Sequence, residues 1–159
     1  MLTLGSLFDG IGVFPYAAER NGILPVWASE IEKYPISITM RHFPNMLHLG
    51  DITKLNGKTL PLVDADFDRV ICFASFPHFA NPVKALKQIH RVLKSAGTLV
   101  IAHLLSRDEI ARHHAKSTVV LGDELPEEAA MRELMTQTGF CVRRLEDRPG
   151  RYLLIATKE

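Results

Sequence analysis

Residues 2–22, LTLGSLFDGIGVFPYAAERNG, decide the fold. Leu2 to Phe8 is a short apolar run that ends at Asp9-Gly10, passes Ile11 and Gly12, and turns helical from Val13 to Arg20. Asn21-Gly22 then gives a left-handed stop. The reading is strand, glycine turn, helix. Such a turn is either a tight corner or a place where exposed amides at a helix start meet an anionic or zwitterionic ligand.

The same unit repeats along the chain. Leu24–Ser29 (LPVWAS) reads as a second strand ending at Glu30, followed by a helix from Lys33 to His42 with Pro35 in its first turn and a stop at Pro44. A short third strand opens at Leu47 and ends at Gly50-Asp51. Residues 53–66 are polar and turn-rich, which predicts a surface loop. Arg69–Ala74 (RVICFA) is an unbroken apolar run of the kind buried on both faces of a parallel sheet. Pro82–Leu93 has helical spacing closed by Ser95-Ala96-Gly97, and Thr98–Leu104 is the next strand. Ser106 and Glu109 form a capping box, Pro126–Thr138 is a helix stopped by Gly139, and 140–145 with 152–157 make a hairpin. Alternating strands and helices followed by a hairpin specify a doubly wound α/β sandwich.

Bulk properties exclude several classes. The 159 residues fit one domain, and 47% hydrophobic with 23% charged residues is ordinary globular composition. A net charge of +1 gives no global pull toward nucleic acid. No apolar run reaches bilayer length and no secretory leader is evident, so neither a membrane partner nor secretion is expected. Two cysteines, Cys72 and Cys141, sit apart in apolar runs and read as reduced thiols, which suggests the cytoplasm. Oligomeric state is not legible.

In a doubly wound sheet, ligands bind outside the carboxyl ends of the strands. Those ends carry Phe8 to Gly12, Glu30-Ile31, Asp51-Ile52, Ala74 to His78, and His103. Glu30 lies about twenty residues after the glycine turn, where an acid holds a ribose diol. Asp51 is placed to accept an adenine amine, with Phe8, Ile31 and Ile52 around the ring. Three acids at three successive strand ends outline a nucleoside site.

SLFDGIG, PVWASEIEKYP and HFPNMLHLGDI, in that order, closely resemble the first three motifs of the DNA (cytosine-5) methyltransferases, which bind S-adenosylmethionine. The resemblance spans about residues 2–57. It implies Phe8, Asp9, Gly10, Ile11 and Gly12 around the methionine part, Glu30 on the ribose, Ile31 and Ile52 against adenine, and Asp51 on its amine. Val13 stands where that family usually carries another glycine and is expected to narrow the turn or force a small shift. The family's nucleophile is missing: FASFPHFANP places His78 after Pro77, where the family has cysteine. Cys72 lies within a strand and Cys141 on a distant one. The family's catalytic glutamate motif and target-recognition region are also not found, so DNA is not an expected partner.

From about Asp66, FDRVICFASFPHFANPVKALKQIHRVLKSAGTLVIAHLLSRDEI and the segments after it resemble the C-terminal half of a type 11 small-molecule methyltransferase. Together the halves imply a three-layer Rossmann-like class I methyltransferase sandwich, with a mostly parallel seven-stranded sheet and an antiparallel C-terminal hairpin. They also suggest an engineered chimera joined near residues 62–66, in which S-adenosylmethionine (or S-adenosylhomocysteine) binding is expected before turnover. An active small-molecule methyltransferase and a scaffold that binds nothing are the alternatives. Ser75, His78 and His103 are the catalytic candidates. His78, His103, His113, His114 and Asp123 are expected near the strand tips, without a metal-site signature. Residues 113–125 read as a lid or a loop.

Overall fold

The computed structural model describes residues 2–7, 10–50, 67–116 and 123–159. The chain divides into two compact units, Met1–Leu62 and Val63–Glu159.

The first unit is built on a parallel sheet in the order β1-β2-β3: β1 (Thr3–Leu7), β2 (Leu24–Ser29) and β3 (Leu47–His48). Two crossovers supply α1 (Val13–Arg20) and α2 (Lys33–His42), with the bounds that the stop signals predict. β2 is central, and its last three residues, Trp27, Ala28 and Ser29, are all buried, as a strand covered on both faces requires. Opposite Leu4 and Gly5 the register skips Val26, beside Pro25, which has no N–H to offer the ladder. Gly5 is obligatory there, because a Cβ would lie 2.2 Å from the Trp27 indole. Ala28, Phe43 and Met46 form the small core cluster.

The second unit holds a four-stranded sheet in the order β4-β5-β7-β6: β4 (Phe67–Phe73), β5 (Leu93–His103), β6 (Phe140–Arg148) and β7 (Arg151–Lys158). β4 and β5 are parallel, while β7 runs antiparallel to both β5 and β6. α3 (Pro82–Val92), α4 (Arg107–His114) and α5 (Glu128–Gln137) supply Leu86, Ile110, Met131 and Met135 to a core shared with Cys72, Leu99, Ile101 and Leu154. The Asn81 side chain caps α3 by accepting from the Lys84 N–H at 2.8 Å.

Two boundaries differ from expectation. Ser95-Ala96-Gly97 does not separate α3 from β5: the strand begins at Leu93, which pairs with Phe67. Residues 94–97 bulge out before Thr98 pairs with Arg69, with Ala96 at φ 58°. Full burial of Leu93 outweighs the turn propensity of the residues after it. The closing hairpin is longer than predicted, joined only by Pro149-Gly150 with Gly150 at φ 73°. Here Glu109 does more than close the capping box with Ser106. Its Oε2 also accepts the Gly150 N–H at 2.8 Å, tying the start of α4 to the hairpin turn.

Candidate functional site

In the first unit the glycine turn is a left-handed segment, with Gly10 at φ 58° and Gly12 at φ 85°. Gly12 precedes the first residue of α1, and its carbonyl accepts the Tyr16 N–H at 3.0 Å. A Cβ on Gly12 would lie 2.4 Å from Thr39 Cγ2, so α1 starts hard against α2. By contrast, a Cβ on Gly10 would meet nothing within 4 Å, so the backbone there is open to approach.

Glu30 stands at the tip of β2, as its spacing predicts, and reaches back to this turn. Its Oε2 accepts the Gly10 N–H at 2.9 Å, while Oε1 accepts from Ile31 at 2.7 Å and Glu32 at 3.0 Å. Partial burial works to raise the carboxyl pKa, but the three amide hydrogen bonds outweigh it and hold the group below the usual glutamate range. A carboxylate offers about four lone-pair positions. Three are engaged, leaving one for an incoming hydroxyl; a second hydroxyl requires the Gly10 N–H to be released. The open backbone at Gly10, the ionised acid and the helix start fit a ribose diol and a zwitterionic tail.

Ile11 and Ile31 are exposed beside this turn, available to cover an aromatic ring. Val13, the first residue of α1, is 64% exposed. Phe8, Asp9, Asp51 and Ile52 lie outside the described residues. Ser29, which the sequence does not single out, is buried and donates its hydroxyl to the Gly50 carbonyl at 2.8 Å. It therefore holds the backbone just before Asp51. A small polar residue preceding the strand-tip acid was the available signal.

In the second unit the strand-tip histidines do assemble. Ser75 precedes a single 3-10 turn, Phe76–His78, whose Phe76 and Pro77 are buried and whose His78 is exposed. The Ser75 carbonyl accepts the His78 N–H at 3.1 Å. His78 Nδ1 lies 2.7 Å from Asp123 Oδ2, and the His78 and His114 rings are 5.2 Å apart. His114 Nδ1 in turn donates to the Asp123 carbonyl. His113 lies at the edge, its ring 6.0 Å from that of His114. Among the described residues no group of three or more histidines, cysteines or acids has the arrangement to hold a metal ion.

His103, expected at the end of the fifth strand facing substrate, ends β5. It is only 8% exposed, packed edge-on against Tyr152, its partner across the β5–β7 ladder. Burial, together with the nearby His78 and His114, pushes its pKa down to about 4, so the ring is neutral at pH 7. Its Nε2 and the Tyr152 hydroxyl are both buried without a hydrogen-bond partner among the described residues. Tyr152 was not legible as part of this group, because only the hairpin register brings it opposite His103.

Cys72 is 6% exposed in the middle of β4, and burial pushes its thiol up to about 12. It cannot supply a thiolate near neutral pH. Cys141 is free and partly buried on β6, which pairs with β7 at the far edge of the sheet. Among the described residues no helix is long and apolar enough to cross a membrane.

The fold is shared with solved methyltransferases. A chain of the complex between the Haloferax volcanii Trm112 methyltransferase activator and a methyltransferase superposes with a TM-score of 0.75 at 18% identity, covering 98% of this chain and 82% of that one. An S-adenosylmethionine-dependent methyltransferase from Mesorhizobium loti gives 0.74 at 14% identity, covering 99% and 90%. One from Aquifex aeolicus gives 0.66 at 18% identity, covering 99% and 82%. In sequence, 59 residues are 39% identical to the DNA N-6-adenine-methyltransferase of Escherichia phage P1; they make up 37% of this chain and only 8% of that protein. A family model described as a methyltransferase domain matches residues 7–101. That match spans more than half of the sequence, and with the Rossmann-like fold around it the chain belongs to this methyltransferase domain family, whose cofactor is S-adenosylmethionine.

Proposed function

We propose that the chain binds S-adenosylmethionine at the glycine turn of the first unit, with Glu30 on the ribose hydroxyls and the 10–12 backbone against the methionine part. The observation that carries this reading is the Glu30 carboxylate at the tip of β2, ionised and hydrogen-bonded to the Gly10 amide. Phe8, Asp9, Asp51 and Ile52 complete the proposed site, with Ile11 and Ile31 beside it. Cytosine methylation is not part of the proposal, since the buried Cys72 cannot act as a nucleophile. The free cysteines fit a reducing compartment such as the cytoplasm. Calorimetric titration with S-adenosylmethionine and S-adenosylhomocysteine tests the site: micromolar binding that is lost in Glu30→Ala supports it. Absence of heat with the unaltered chain overturns it in favour of an inert scaffold.

A second reading, turnover of a small-molecule methyl acceptor, is favoured by the His78–Asp123 pair. Ser75, just before the turn that carries His78, and His103, the last residue of β5, are the other candidates of this reading. A join of two methyltransferase parents near residues 62–66 is the finer reading of the two resemblances, although a single methyltransferase-domain match at residues 7–101 runs across that point.

A further inference from the structure

We propose that the outward face of the sheet in the second unit is a docking groove for an amphipathic helix with acidic flanks, carried by a partner protein.

The face follows from the strand register. Along β5 and β7 burial alternates residue by residue. One set of positions, with Cys72, Leu99, Ile101 and Leu154, meets Leu86, Ile110, Met131 and Met135 of the three helices in the core. The other set faces away, and the ladder aligns it in two rows: Ile71, Val100 and Ile155, then Phe73, Ala102 and Leu153. A sheet face left to water normally carries polar residues. These six are all apolar, and none belongs to a core cluster among the described residues. Ile71 is 47% and Phe73 39% exposed, and the other four are only partly buried. Contiguous apolar surface of this kind marks a contact site.

The shape selects a helix. The middle strand, β5, presents the small side chains of Thr98, Val100 and Ala102 between larger ones on β4 and β7. β5 is therefore the floor of a trough. Neighbouring strands lie about 4.8 Å apart, which sets the two walls about 10 Å apart, the width of an α-helix with its side chains. A flat bilayer would rest on the walls and leave the floor unfilled.

The charge selects the partner. Arg69 lies at one end of the trough, in the row of Thr98, while Arg148 and Arg151 face each other at the other end and Arg144 lies beside Ile155. Among the described residues of these strands the only acid on this face is Glu146, and Arg144 and Arg151 already bind it. The frame is net positive and complements acidic residues on either side of an apolar helix stripe. It also disfavours a second copy on the same face, because a two-fold contact would set arginine against arginine.

The test uses the full chain and a fluorescently labelled synthetic peptide of about 18 residues, long enough to be helical alone, with leucine and alanine on one face and glutamate along its flanks. A second peptide carries lysine in place of the glutamates. Anisotropy should show micromolar binding of the glutamate peptide, weakened by added salt, and at least about tenfold weaker binding of the lysine peptide. Ala102→Phe, which fills the floor, should weaken the glutamate peptide by at least about tenfold. Arg69→Glu with Arg148→Glu changes only exposed side chains, so it keeps the fold by circular dichroism and should invert the preference between the peptides. No binding of the glutamate peptide, equal binding of both peptides, or binding indifferent to Ala102→Phe would each overturn the proposal. So would sedimentation showing a dimer that Ala102→Phe dissociates, or tighter binding of the chain to vesicles of phosphatidylserine than to the glutamate peptide.

Discussion

Gly10 donates its backbone N–H to Glu30 Oε2 at 2.9 Å, across twenty residues of sequence. The acid that the proposed site assigns to the ribose is thus also the clasp of the glycine turn. Replacing Glu30 does two things at once, and the two effects separate by side chain. Glu30→Gln keeps an amide oxygen for the Gly10 N–H but loses the charge, whereas Glu30→Ala loses both. We expect cofactor affinity to fall about tenfold in the first and about 100-fold or more in the second, from charge-assisted bonds of about 1.5–3 kcal/mol each. Isothermal titration of both variants at neutral pH measures the ratio; equal losses would show that the clasp contributes nothing.

The same carboxylate carries a pH signature. Its folded pKa lies below the usual value, so its contribution to stability is full above about pH 4.3 and is lost as pH falls through the lower folded value. Amide exchange at Gly10 should therefore accelerate on acidification beyond the intrinsic rate, and Glu30→Gln should abolish that extra acceleration.

Gly12 is the tightest point of the turn. Alanine there meets two penalties, a left-handed φ of 85° and a Cβ 2.4 Å from Thr39 Cγ2. Thr39 cannot yield easily, because it is fully buried and its hydroxyl donates to the Pro35 and Ile36 carbonyls at 3.0 and 3.1 Å. Gly12→Ala should destabilise the first unit by about 2–4 kcal/mol. Urea unfolding followed by the fluorescence of Trp27, the sole tryptophan, reads this unit directly. The double variant Gly12→Ala with Thr39→Ser, which removes the clashing methyl, should recover part of the loss.

The two thiols should differ in reactivity. Cys72 is buried with its pKa near 12, whereas Cys141 is partly exposed. In the native state an aromatic disulfide reagent should label Cys141 rapidly, and Cys72 only as fast as the second unit opens. Rapid modification of Cys72, read by mass spectrometry of the labelled peptide, would contradict the placement of β4.

These relationships mark what the sequence discloses. The bounds of α1 and α2 follow from local stop signals, Asn21-Gly22 and Phe43-Pro44, and the structure reproduces them. Glu30 is found by spacing alone. Its three amide partners are not, since they depend on how the turn closes over β2. At the start of β5 local reasoning fails, because Leu93 becomes a strand residue through burial while the turn-forming residues after it bulge out. The histidine group is visible in outline, but the 2.7 Å pairing joins residues 45 apart and depends on α4 presenting His114 to the Asp123 backbone. Thr39 and Tyr152 carry no sequence signal, because their importance comes from a neighbouring helix and from a hairpin register.

His103 supplies the last test. Its ring is kept neutral down to about pH 4 by burial and by His78 and His114, while in the unfolded chain it protonates near 6.5. Between these values the unfolded state binds more protons, so stability falls as pH decreases from about 6.5 to about 4. Water reaching the ring discounts the full shift, which leaves on the order of 2 kcal/mol for this one residue. Urea unfolding by far-ultraviolet circular dichroism at pH 7.5, 6 and 5 should show the decline. In His103→Phe, which fills the space beside Tyr152 without a titrating nitrogen, the decline should be shallower by about that amount. A variant with the same pH dependence as the unaltered chain would show that His103 already titrates freely in the native state, and so that the environment around His78 is wetter than its buried neighbours imply.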